Sequence, residues 1–172
     1  KVIKWLPWFQ LYDPYVTREL TVRDVLSHRA GLGRRGDPLW YGTNYSRTEV
    51  IRRVRHLTPN AGFRTELGYQ NIMFATAGEV EAAAGGMSWE DLVRTRIFEP
   101  LGMRTSGAVL GELAGKPDVS TPHRVKDGVP QPIPWRNLDN AGPAGSINSS
   151  INEMAQYLRL HLNDGVYRGK RL

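Results

Sequence analysis

Gly68 is followed by Tyr69, Gln70 and Asn71, and then by an alanine-rich apolar run that ends at Gly85-Gly86. A helix begins here, and a plain helix start carries Ser or Asp. This one opens on a phenol and a carboxamide two residues apart. The first can give or take a proton, and the second can both donate and accept hydrogen bonds, as a bound amide requires. The same letters also fit a half-buried aromatic followed by an ordinary cap, so the pair has to be weighed with the elements that position it.

Four further helices start on one device: a Ser or Thr followed three residues later by an acid, which satisfies the free N–H groups of the first turn. Thr21 and Asp24 start the first, with Val22, Val25 and Leu26 on one face and Gly31 as its stop. Ser46 and Glu49 start the second, which turns Val50, Ile51, Val54 and Leu57 inward before Pro59. Ser88 and Asp91 start the third, carrying Leu92, Val93, Ile97 and Phe98 as far as Pro100 and Gly102. Ser150 and Glu153 start the fourth, with Ile151, Met154, Ala155, Leu158 and Leu162 on one stripe and Gly165 closing it. The fifth helix runs from about Asn71 to Ala84. No run of alternating β-branched residues stands out, so the chain is predicted to be mainly α, with any large sheet outside it. Residues 104–148 hold six prolines and show no helical period, which leaves short strands or a functional surface loop.

Several chemistries are excluded. The chain has 172 residues and a net charge of +6, and 18 of its 23 basic residues are Arg. These are scattered, so no nucleic-acid partner is predicted. Without cysteine there is neither a disulfide nor a thiolate metal site. His28, His56, His123 and His161 lack metal-ligand spacing, so no metal or cofactor is predicted; His28 and His56 read as cations in last helical turns. Gly31, Gly33 and Gly36 fit the letters of a dinucleotide fingerprint but follow a helix, which makes them a stop and a turn. Arg52, Arg53, Arg55 and His56 read as a solvated face. No apolar run reaches the ~18 residues of a membrane span. The chain opens on KVIKWLPW and closes on YRGKRL, which reads as a piece of a longer protein.

Taken in order, ELTVRDVLSHRAGLG, GYQN with AGEVEAAAGGMSWEDLVRTRIFEPLGM, and NAGPAGSINSSINEMAQYLRLHLNDG resemble the serine β-lactamase and D-alanyl-D-alanine peptidase superfamily. More narrowly they are similar to its class C β-lactamase-like (CubicO-group) serine hydrolases. The resemblance covers nearly the whole chain. It implies that residues 1–172 are a single, mostly helical fragment of a two-domain α/β fold, with most of the sheet elsewhere. Catalysis in that family rests on Ser-x-x-Lys, Tyr-x-Asn, and Lys-Thr-Gly or His-x-Gly. Tyr69-Gln70-Asn71 matches the second. By this resemblance Tyr69 moves the proton between nucleophile and leaving group, and Asn71 binds the substrate's amide. A free phenol titrates near ~10, so the role needs a cation beside it to favour the phenolate; each tenfold gain in acidity takes about 1.4 kcal/mol of such interaction.

The departures are as informative. None of the eight serines has Lys three positions on; Ser27 meets Ala30, Ser120 meets His123 and Ser150 meets Glu153. The resemblance therefore puts the nucleophile before Lys1 and the third motif after Leu172. Ala61-Gly62 stands where many relatives have Pro-Gly, and the loop to Tyr69 is extended. The implied function is part of a serine hydrolase acting through an acyl-enzyme on D-amino-acid peptides, β-lactams or small esters, with the fragment alone inactive. The alternative is a non-catalytic relative that uses the scaffold for binding or assembly. Trp40, Tyr41 and Tyr45 are candidates for an apolar pocket wall, and equally for plain packing aromatics. The implied partners are a small-molecule or peptide substrate and the remainder of the parent domain. The implied location is periplasmic or secreted in a bacterium.

Overall fold

The computed structural model describes residues Lys1–Leu172. Nine α-helical segments follow in order: α1 Pro14–Glu19, α2 Val22–Leu26, α3 Asp37–Trp40, α4 Arg47–Arg53, α5 Asn71–Gly85, α6 Trp89–Val93, α7 Glu99–Leu101, α8 Gly142–Gly145 and α9 Ile151–Leu162. Two antiparallel hairpins, β1 His123–Lys126 with β2 Val129–Pro132 and β3 Val166–Tyr167 with β4 Lys170–Arg171, are the only strand pairs. The chain is mainly helical with only short strands, as expected.

All four Ser/Thr caps form. Thr21 and Asp24 satisfy each other's backbone N–H groups in a complete capping box. Ser46, Ser88 and Ser150 each accept the N–H of the acid three residues on. Glu153 does not return the bond; its carboxylate takes Thr105 N–H at 2.8 Å and Ser106 O–H at 2.6 Å, tying α9 to the chain before it. The third helix is less regular than its apolar spacing implies. After α6 it widens into a π segment, Arg94–Phe98, and resumes as α7. Pro100, which cannot donate back to the preceding turn, sits in that last piece.

The larger of two apolar clusters joins Val2, Leu6, Phe9 and Leu11 with α1, α2 and α4 and with the α5 side chains Ile72, Met73, Ala75, Ala77 and Val80. The smaller joins Trp89, Val93, Phe98, Leu101, Met103, Ala108 and Tyr167. Helix α5 touches both halves. Gly78, in its middle, is where α8 lies closest: a Cβ there would overlap the Pro143 ring. Arg47 reinforces the arrangement. It reaches Glu79 of α5 at 3.4 Å, Glu90 of α6, and Asp139 C=O at 2.9 Å, with little of its side chain exposed.

One helix boundary needs correction. Helix α2 ends at Leu26 and the chain turns at His28, φ 56°, three residues before Gly31. The α9 stripe is mostly in the open: Ile151 is 83% and Leu162 82% exposed, while Met154, with Tyr157 and Leu160 of the same helix, packs half-buried against the smaller cluster. Of the two readings left open for the 104–148 segment, short strands hold: it carries β1 and β2, joined by Asp127-Gly128 with both φ positive. Asp-Gly is a strong hairpin signal, and the alternating prolines hid it. In this register Pro130 and Pro132 oppose Val125 and His123, while Ile133 N–H donates to Pro122 C=O at 2.9 Å. The prolines thus occupy alternate positions whose missing N–H groups face outward.

Candidate active site

Helix α5 owes its start to Gln70, fully buried between the two residues of interest. Its Oε1 accepts Ile72 N–H at 3.1 Å, and its Nε2 donates to Gly33 C=O at 2.6 Å. Gly36 lies against the same carboxamide; a Cβ there would sit 2.6 Å from Nε2. The turn containing Gly33 and Gly36 is thus a seat for Gln70. The cap is Gln70 and not Asn71, which corrects the ordinary-cap reading of the asparagine.

Relieved of capping, Asn71 faces its neighbour. Tyr69 O–H donates to Asn71 Oδ1 at 3.0 Å. Tyr69 is 43% exposed, so its hydroxyl sits at the surface of this chain and not in its core. The Arg34 guanidinium lies 5.3 Å from the centre of the phenol ring, and the His28 ring 4.6 Å away on a 40° tilt. Gly68 precedes the tyrosine because there is no room for a side chain: a Cβ would stand 2.5 Å from Leu32 C=O. Two unpaired-looking residues in the sequence are, in space, one hydrogen-bonded pair with a cation beside it.

His28 is a residue that sequence reading misplaced. It follows α2 instead of ending it, and its Nδ1 accepts Gln70 N–H at 3.2 Å. An acceptor nitrogen is unprotonated, so in this bond the ring is neutral and not the cation expected at a helix end. Burial pushes its pKa below the usual 6.5. His56 lies in the short turn after α4, exposed, where its Nε2 accepts from Arg55 Nε at 3.3 Å.

The aromatic candidates divide. Trp40 packs against the main core, donates from Nε1 to Asp37 Oδ1 at 3.1 Å, and presents its C=O to Asn140 Nδ2 at 2.9 Å. Tyr41 and Tyr45 line an open cleft of about 1060 Å³, with Trp135 and Arg136 opposite. Arg136 sits over Tyr41 at 4.3 Å and Arg53 over Tyr45 at 4.1 Å. Tyr69 and Asn71 are not among the residues lining that cleft.

The serines near the end of the chain have other work. Ser146 is buried, with its hydroxyl donating to Ala108 C=O and Gly142 C=O. Ser149 pairs with Ser106 at 2.7 Å, and Ser150 caps α9. No three His, Asp or Glu side chains converge as a metal site would need, and no helix is long and apolar enough to cross a membrane.

The helical architecture with its short strand pairs is that of a helical part of the β-lactamase-like fold. The chain belongs to the beta-lactamase family, whose model matches residues 1–171. Penicillin-binding protein 4 of Amycolatopsis lactamdurans is 29% identical over 177 residues, covering 96% of this chain and 44% of that protein. An unguisins hydrolase of Aspergillus campestris is 28% identical over 157 residues, 87% of this chain and 29% of its own length. Among solved structures, a D-stereospecific amidohydrolase from Streptomyces sp. superposes with a TM-score of 0.76 at 22% identity, covering 94% of this chain and 52% of that one. The D-amino acid amidase of Ochrobactrum anthropi SV3 gives 0.73 at 23% identity, covering 95% and 48%. The chain spans less than half the length of the curated relatives it matches.

Proposed function

We propose that residues 1–172 form one mostly helical part of a serine hydrolase and supply its Tyr-x-Asn element. The parent protein would act through an acyl-enzyme on D-amino-acid peptides or amides, β-lactams or small esters. The observation that carries this reading is the 3.0 Å bond from Tyr69 O–H to Asn71 Oδ1, made at a helix start that Gln70 already caps. A cap is thereby removed as the reason for the asparagine. The similarity to proteins named for penicillin binding and for D-amino-acid amide hydrolysis supports the substrate class.

In this reading the Tyr69 phenolate takes the proton of a serine hydroxyl as that oxygen attacks the acyl carbon, and the phenol so formed passes it to the leaving group as the tetrahedral intermediate collapses. Water then attacks the ester so formed, and the same phenol moves the proton in the opposite sense. Asn71 Oδ1 orients the phenol, which leaves Nδ2 to donate to the substrate's amide carbonyl. The serine and its lysine are contributed from outside this chain, as is the third motif, so the segment alone has no turnover. A bacterial location outside the cytoplasm follows from the same family reading.

Tyr69→Phe in the full-length protein is the test. General acid–base help is worth about 10²–10⁴-fold, so turnover should fall by that factor. The melting temperature should move only by the loss of one hydrogen bond, about 1 kcal/mol. A loss of less than threefold with unchanged melting overturns the role of Tyr69. Absence of any labelling of the full-length protein by a fluorescent penicillin or a fluorophosphonate favours the non-catalytic scaffold.

A further inference from the structure

His28 holds the peptide on both sides of Tyr69. Its C=O accepts Gly68 N–H at 2.8 Å, and its Nδ1 accepts Gln70 N–H at 3.2 Å. The N–H groups of the two residues that flank the tyrosine therefore end on one residue, 40 and more positions earlier in the chain. The ring also fills the space between Tyr69, 4.6 Å away, and Phe74, 5.0 Å away and stacked at 29°. Its backbone φ of 56° is uncommon for a residue other than glycine, and brings carbonyl and imidazole to bear on the same short segment. A histidine that only closed a helix would need neither the second bond nor the contact with the phenol.

We propose that His28, as the neutral tautomer protonated on Nε2, is a positioning residue that sets where the Tyr69 hydroxyl stands. The inference rests on the proton-transfer reading of Tyr69. Protonation of Nδ1 would oppose its N–H to that of Gln70, replacing an attraction by two facing donors and leaving a backbone N–H unpaired. The charged groups around this loop do not hold a proton on the ring. Asp24 is engaged by Arg64, the Arg29 guanidinium donates to Arg64 C=O, and Arg34 lies over the tyrosine. Burial acts in the same direction, favouring the neutral ring.

The experiment compares His28→Phe, His28→Asn, Tyr69→Phe and the double variant His28→Phe/Tyr69→Phe in the full-length protein, with nitrocefin or a small ester as substrate. Phe keeps a ring against Tyr69 and removes the acceptor. Asn keeps an acceptor near the position of Nδ1 and tolerates a positive φ, but removes the ring. His28→Phe should lower kcat by about tenfold or more, the scale on which a slightly misplaced group acts, and leave KM within about twofold. His28→Asn should recover most of that loss. The double variant should be no slower than Tyr69→Phe alone, because the histidine acts through the phenol. Additive losses with a damaging Tyr69→Phe overturn this inference alone, as does His28→Phe with kcat unchanged. A silent Tyr69→Phe overturns the functional reading and this inference with it. If His28→Phe does not fold, the long-range proton–nitrogen spectrum of the unaltered protein decides: Nε2–H is required, and Nδ1–H overturns the proposal.

Discussion

Helices α5 and α9 have opposite relations between sequence and surroundings. Helix α9 carries the clearer apolar stripe, yet leaves Ile151, Leu158 and Leu162 in the open. Helix α5 reads as a nearly continuous apolar run with small residues, and is buried along Ile72, Met73, Ala75, Thr76, Ala77, Gly78 and Val80. The difference teaches that periodicity says which face of a helix seeks cover, not whether cover is present in the same segment of chain. A helix enclosed on several sides has no polar face to display. It needs small residues instead, as Gly78 beneath Pro143 illustrates.

The contrast can be tested by paired truncations. Met73→Ala removes a fully buried side chain from the main core and should cost about 2–5 kcal/mol, read from urea or thermal unfolding. Gly78→Ala should cost about 1–3 kcal/mol by forcing α5 and α8 apart, although alanine is the better helix former. Asn71→Ala sits at the exposed mouth of the same helix. It should weaken acylation of the full-length protein by about 1–3 kcal/mol while stability changes less, since Gln70 does the capping. Unaltered turnover with a large drop in melting temperature would return Asn71 to a purely structural role. At the far end of the scale, Leu162→Ala should change the stability of this 172-residue chain by no more than about 0.5 kcal/mol. A cost of several kcal/mol there would mean that Leu162 is covered in solution by something within the chain, and would erase the contrast.

Acid provides a separate handle on the α2–α5 region. The Arg64 guanidinium, bonded to both oxygens of Asp24 at 2.8 Å, holds that carboxyl well below the usual carboxylate range, with Thr21 N–H and O–H assisting. A carboxyl depressed on folding contributes stability that is complete above its unfolded value of 3.8 and is lost as pH falls below it. His28 acts earlier in the same direction: its folded pKa lies below 6.5, so the unfolded chain binds more protons and stability declines as pH falls from 6.5. Asp24→Asn should flatten the pH dependence below about 4 and leave the decline that begins at 6.5 in place.

Much of the helical framework was legible from letters. The Ser/Thr caps and the Tyr-x-Asn pair are recognisable because their partners lie two or three residues apart, and chain connectivity alone brings such atoms together. The β1–β2 hairpin was equally local, in Asp127-Gly128, but its prolines argued against a strand until the register gave them outward-facing positions. The family was legible too, from the order of the sequence blocks that resemble it, and the candidate pair came with that resemblance. The tertiary structure alone brought His28 to Gln70, Gly33 to the Gln70 carboxamide, and Arg47 to Glu90 and Asp139. It also parted Trp40, packed against the core, from Tyr41 and Tyr45 on the cleft, and left Ile151, Leu158 and Leu162 of α9 uncovered. These contacts close loops of tens of residues. Such closures depend on how every intervening turn is built and on the net balance of burial against chain entropy, which no short window of sequence contains.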